Sequence, residues 1–171
     1  QFAEQIFLQL QGFGEYGFPE SHSASFARLA YCSAWFKCHE PAVFLAALLN
    51  SQPMGFYAPS QLVQDARRHG VEVRPVDIRY SEWEATLEPS TFEEATFQQD
   101  TTNKTAQGSA GLPQPAVRLG LCQIKGLSRN AALRIEQARR QAPFRSTQDL
   151  ASRASLDRKE MNALAAANAL Q

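Results

Sequence analysis

Between Gly14 and Ala24 the chain reads Gly-Glu-Tyr-Gly-Phe-Pro-Glu-Ser-His-Ser-Ala. Gly14, Gly17 and Pro19 break the helical pattern before this stretch, and serines around a histidine open a new helix. The start of a helix carries unpaired backbone N–H groups and a partial positive charge, so Ser21, His22 and Ser23 beside a glycine-bearing turn make a plausible seat for phosphate. That chemistry is nucleotide handling by orientation and charge neutralisation. The same residues suit an ordinary turn with a serine cap, and spacing alone leaves both readings open.

Other groups are weaker candidates. Glu82 and Glu84 flank Trp83 in an alternating segment, Glu82–Leu87. Such a pair on one strand face can hold a metal, but the acidic outer face of a half-buried strand is the commoner origin, with Trp83, Ala85 and Leu87 turned inward. Cys38-His39 has no CxxC or HxxxH companion, so no metal is expected in this chain. Cys32, Cys38 and Cys122 are three cysteines without metal or disulfide spacing. Two of them lie in an apolar helical stretch, which predicts reduced, buried thiols and a cytoplasmic protein. No apolar run approaches the ~20 residues of a membrane span, and no signal-peptide pattern opens the chain, so no membrane partner is expected.

The chain has 171 residues, 44% of them hydrophobic, enough to bury a core in one domain or two small ones. Its 17 basic and 17 acidic residues cancel overall. From Arg118 onward, however, ten Lys or Arg face four acids, a net +6 that suits a polyanion.

The elements that must position these residues read mainly as helices with a few short strands. Residues 2–12 predict a first helix. The next, about Ser23 to Lys37, is apolar nearly all round and is expected at the centre of the core. Pro41 starts a third helix, buried through Val43, Phe44, Leu45, Leu48 and Leu49; Pro53 and Gly55 stop it. Pro59-Ser60 opens a fourth, with Leu62, Val63 and Ala66 as its stripe and Gly70 as its end. Val71, Val73, Val76 and Ile78 suggest a short strand broken at Pro75. Residues 89–115, rich in Thr, Gln, Ser, Gly and Pro, read as a polar linker or mobile loop between an N-terminal unit, 1–88, and a C-terminal one, 116–171.

In the C-terminal unit, Ile124-Lys125-Gly126-Leu127-Ser128 precedes an amphipathic helix over Asn130–Arg140. The pattern resembles a helix-hairpin-helix element, whose hairpin runs hydrophobic, any, Gly, hydrophobic, Gly. By that resemblance, its exposed amides grip a DNA phosphate without reading the base. Ile124, Gly126 and Leu127 match, whereas Ser128 stands where the second glycine is expected and resists the left-handed backbone glycine accepts. It can instead cap the following helix. Lys125 and Arg129 flank the turn and would supply phosphate-neutralising charge. A structural hairpin with solvated charges fits the same residues. Ser146-Thr147-Gln148-Asp149 and Asp157-Arg158-Lys159-Glu160 start two further helices, a second and incomplete copy of the hairpin.

Taken together with Phe2–Phe7, Phe26–Lys37 and Glu40–Phe44, the Gly14–Ala24 stretch is similar to the fingers region of bacterial C-family DNA polymerases, the replicative polymerase III alpha subunit and its error-prone relative. Asn50–Tyr57 and Leu62–Asp77 resemble the error-prone, damage-inducible branch more closely. The similarity covers residues 1–88 and 116–171. It implies a helical fingers subdomain followed by a helix-hairpin-helix unit, and template-directed DNA synthesis by two metal ions on palm aspartates. Those aspartates are not in this chain, so the resemblance implies a piece of a longer polymerase, inactive alone, with Mg2+ held elsewhere. It also implies that Tyr16, Gly17, Ser21 and His22 face the incoming dNTP, and that Lys125, Gly126, Ser128 and Arg129 contact DNA. Primer-template DNA and polymerase accessory proteins are the implied partners, and synthesis across damaged templates the implied role. A noncatalytic adaptor, with a helical protein-interaction module and a weak DNA-binding hairpin, is the alternative.

Overall fold

The computed structural model describes residues 5–8, 20–55, 57–91 and 114–170. Two compact units divide between Cys38 and His39. In the first, residues 5–8 are helical and α1 spans Glu20–His39. The helix begins three residues before the expected Ser23, so Ser21 and His22 lie within its first turn rather than ahead of it. The expectation that α1 is the centre of the core is wrong. Phe26, Leu29, Tyr31, Trp35 and Phe36 are 44–71% exposed. A helix that is apolar on all sides needs neighbours on all sides, and the described residues leave these side chains open to water. Cys32 and Cys38, expected to be buried, are exposed with it.

The second unit opens with α2, Pro41–Asn50, whose proline sits at the first turn, where its missing N–H costs nothing. Ala42, Leu45, Ala46 and Leu49 are its buried residues, at the spacing of one helical face. Val43, expected inside, falls off that face and is 36% exposed. Helix α3, Pro59–Arg68, ends as expected at Gly70, which adopts φ +82. There the Val71 N–H reaches Ala66 O at 3.1 Å and the Gly70 N–H reaches Arg67 O at 3.1 Å, closing the last turn.

Three short strands follow: β1, Val73–Arg74; β2, Thr86–Glu88; and β3, Ala116–Arg118. Their order is β1-β3-β2, with β3 parallel to β1 and antiparallel to β2. The strands on either side of residues 92–113 therefore lie in one sheet. The strand phase starts at Thr86 rather than at Trp83, so Ala85 is buried but Leu87, expected on the same inner face, is 44% exposed. One core forms where α2 and α3 cover the sheet: Ala42, Leu45, Ala46, Leu49, Ala66, Val71, Ala85 and Val117.

A 3-10 turn, Leu121–Gln123, then leads through the hairpin to α4, Arg129–Gln141, followed by α5, Thr147–Arg153, and α6, Arg158–Ala166. These helices enclose a second core around Leu121, Ile124, Leu127, Ile135, Leu150 and Leu164. Leu119 packs against both cores and joins them. The fold is thus mainly helical with a small sheet. Among the described residues no helix is long and apolar enough to cross a membrane.

Candidate nucleic-acid interface

The turn at 124–129 is built from alternating anchored and open residues. Ile124 and Leu127 are 5% and 7% exposed and hold the turn onto the second core, while Lys125, Gly126, Ser128 and Arg129 are exposed. The Leu127 N–H closes the turn on Ile124 O at 3.2 Å. Gly126 adopts φ +90, a conformation glycine takes at little cost, with nothing within 4 Å of where a Cβ would stand. Ser128, where the sequence pattern calls for glycine, has φ −83 and needs no left-handed backbone. Its hydroxyl oxygen caps α4 by accepting the Ala131 N–H at 3.1 Å.

The backbone N–H groups of Gly126, Ser128, Arg129 and Asn130 find no partner among the described residues. They lie at the positive end of a 13-residue helix that carries no acidic residue in its first turn. Lys125 and Arg129 make no ion pair among the described residues. Open amides, a helix start and two cations at one turn suit a phosphate oxygen.

The basic surplus is smaller than the +6 suggests. Arg118 binds both oxygens of Glu88, at 2.9 Å each, and Pro75 O at 3.0 Å. Arg134 binds Ala154 O and the Glu160 carboxylate. Arg139 donates to Ile78 O and Ser81 O. Arg153 caps the end of α4 through Ala138 O, Ala142 O at 2.9 Å and Pro143 O at 3.2 Å. These four hold the fold. Lys125, Arg129, Arg145, Arg158 and Lys159 are exposed with no ion pair among the described residues, and the exposed Arg140 stands 4.0 Å from the Glu136 carboxylate.

The second hairpin shares with the first a positive-φ residue two positions before a capped helix start, with different chemistry. Ser155, at φ +49, takes the place of Gly126, Leu156 that of Leu127, Asp157 that of the capping Ser128 and Arg158 that of Arg129. Here the Asp157 carboxylate accepts the Glu160 N–H at 2.7 Å and Glu160 accepts the Asp157 N–H at 3.1 Å. Carboxylates therefore fill the helix start that the first hairpin leaves open.

Of the residues assigned to nucleotide contact, Tyr16 and Gly17 lie outside the described residues. Ser21 is helical, with a side chain also outside them. His22 is exposed, and its ring meets Phe26 edge-on at 4.5 Å between centroids. Lys125, Gly126, Ser128 and Arg129 do come together in one turn. Sequence reasoning missed that Glu136 accepts the Trp83 N–H and that Arg139 donates to the Ile78 and Ser81 carbonyls, since a charged residue on an amphipathic helix carries no sign of whether it meets water or the backbone. Glu82 and Glu84 lie in irregular backbone ahead of β2 and not on a strand. Among the described residues no group of three or more His, Cys, Asp or Glu is arranged to hold a metal ion. Burial raises the pKa of the remaining thiol, Cys122, and keeps it protonated.

Residues 70–171 match a family model described as a helix-hairpin-helix motif. Curated relatives include the error-prone DNA polymerase of Methylococcus capsulatus, 60% identical over 170 residues, 99% of this chain and 16% of the relative. Those of Azoarcus sp. and Bordetella parapertussis are 59% and 58% identical over the same share of this chain, covering 15% and 14% of their own lengths. The chain thus spans about one-seventh of the relatives it matches. The chain belongs to the helix-hairpin-helix family, and over 99% of its length it is homologous to one segment of the error-prone DNA polymerases of the C-family.

Proposed function

We propose that the chain serves an error-prone DNA polymerase in synthesis across damaged templates, holding the DNA backbone through the hairpin at Lys125–Asn130. The observation that carries this reading is the set of open amides at Gly126, Ser128, Arg129 and Asn130 between two exposed cations. Backbone amides bind phosphate whatever the base, which a polymerase moving along its template requires. The fingers-like first unit, through Tyr16, Gly17, Ser21 and His22, orients the triphosphate of an incoming dNTP. Orientation and electrostatics, rather than nucleophilic attack, are the contribution of these residues. The palm aspartates and their Mg2+ belong to the parent enzyme, and this chain's residues do not replace them. Polymerase accessory proteins and a cytoplasmic setting complete the proposal.

The test is a salt titration of duplex binding by the full chain and by its Lys125→Ala/Arg129→Ala variant. The slope of log affinity against log salt should flatten by about one unit for each phosphate no longer neutralised. An unchanged slope sinks the grip. In the parent polymerase, Ser21→Ala/His22→Ala should cut incorporation while leaving DNA affinity intact. Unaltered incorporation would favour the adaptor reading, which the exposed Phe26, Leu29, Tyr31, Trp35 and Phe36 of α1 also support.

A further inference from the structure

The loop from Asp77 to Glu84, between β1 and β2, touches both arms of the hairpin. On the 3-10 arm, the Leu121 and Cys122 N–H groups donate to Glu82 O at 2.8 Å and Trp83 O at 2.9 Å. On the helical arm, the Glu136 carboxylate, 9% exposed as a residue, accepts the Trp83 N–H at 2.9 Å. Arg139 donates to Ile78 O at 3.0 Å and to Ser81 O at 2.9 Å. The fit has no slack, because a Cβ on Gly120 would stand 2.5 Å from Trp83 O and 2.7 Å from Glu84 O.

The loop is itself fixed. The buried Ser81 hydroxyl accepts the Asp77 N–H at 3.0 Å and donates to Leu119 O at 2.8 Å. Asp77 in turn accepts the Arg79 N–H at 2.8 Å and the Arg79 guanidinium at 2.7 Å. Amides that grip a phosphate act only when held in the right direction, since a hydrogen bond weakens steeply with misalignment.

We infer that the 77–84 loop is a brace that sets the angle between the hairpin's arms, and that Glu136 and Arg139 are positioning residues for the DNA grip rather than contacts to DNA. This rests on the reading that the hairpin holds DNA phosphate. Arg139 spends its guanidinium on two carbonyls at once, a geometry that a flexible, point-charged lysine does not reproduce. Glu136 serves as an acceptor, which glutamine can replace.

The experiment is salt titration of duplex DNA binding with the full chain, at a temperature where circular dichroism shows each variant folded. Arg139→Lys keeps the charge but loses the fork; because a swung hairpin carries Lys125 and Arg129 away from the phosphates, it should lower affinity roughly three- to tenfold and flatten the salt slope by about one unit although no charge is removed. Glu136→Gln should bind like the unaltered chain, and Glu136→Leu should match Arg139→Lys. If Arg139 acted by charge alone, Arg139→Lys would bind normally. If Glu136 acted by charge alone, Glu136→Gln would bind more tightly. A merely structural role would lower the unfolding midpoint with the slope intact. Any of these results overturns the inference. Loss of fold in Glu136→Leu leaves Arg139→Lys and Glu136→Gln to decide. Lys125→Ala/Arg129→Ala, run in the same series, separates the two readings: if it too leaves the slope unchanged, the phosphate grip fails and the brace falls with it.

Discussion

Gly126 and Gly120 stand on either side of the 3-10 turn's exit and start, and they resist substitution for different reasons. At Gly126 there is room for a side chain, but φ is +90. The cost of alanine there is conformational, roughly 1–2 kcal/mol. Asparagine, which tolerates a left-handed backbone, should recover part of it. At Gly120 the obstacle is space, because the added carbon would collide with the backbone of Trp83 and Glu84. Moving that backbone would break the bonds from Leu121 and Cys122, so Gly120→Ala should cost about 3 kcal/mol or more. Urea unfolding of Gly126→Ala, Gly126→Asn and Gly120→Ala checks the order. Equal losses at the two glycines would mean the 77–84 loop yields more readily than its hydrogen bonds suggest.

The sheet shows how such short elements persist. Its strands are two or three residues long, and each contributes a charge to one network: Arg74 from β1, Glu88 from β2 and Arg118 from β3. Glu72, just before β1, accepts from Arg74, from the Ser90 and Thr91 hydroxyls, and from the Thr91 N–H. Burial works against the Glu72 carboxylate, but these hydrogen bonds outweigh it and hold its pKa at about 2, below the ordinary 4.5. A carboxylate depressed in the folded state stabilises it fully above the unfolded pKa. That contribution is lost as pH falls from 4.5 toward 2. Stability should therefore be level above roughly pH 5 in this respect and decline below it. Glu72→Gln should be less stable at neutral pH and show a flatter acid limb, read as denaturant midpoints against pH. Parallel acid limbs in the two proteins would show that Glu72 has no such role. None of this network was legible from local pattern. The parallel pairing of β1 with β3 joins residues more than forty positions apart, and two-residue strands carry no measurable alternation.

At the scale of the whole molecule, punctuation was readable and partnership was not. Pro41, Pro59 and Gly70 marked helix ends because proline and glycine act through their own backbones. The hairpin was readable for the same reason, down to the serine that caps α4. The place of α1 was not, since an apolar face shows that cover is favourable and says nothing about what supplies it. The consequence can be measured. Every residue of both buried core clusters lies between Ala42 and Ala169, within the His39–Gln171 unit. Helix α1 leaves Phe26, Leu29, Tyr31, Trp35 and Phe36 exposed in water, where they favour self-association. A chain beginning at His39 should therefore keep its cooperative unfolding, with a thermal midpoint within a few degrees of the parent's, and should stay monomeric at concentrations where the full chain associates. It should also show the salt-dependent duplex binding proposed for the hairpin, because the 77–84 loop, the sheet and α4 are all within it. Calorimetry, sedimentation and DNA titration on the two chains would establish this. A midpoint lowered by more than ten degrees would show that residues 1–38 support the second unit.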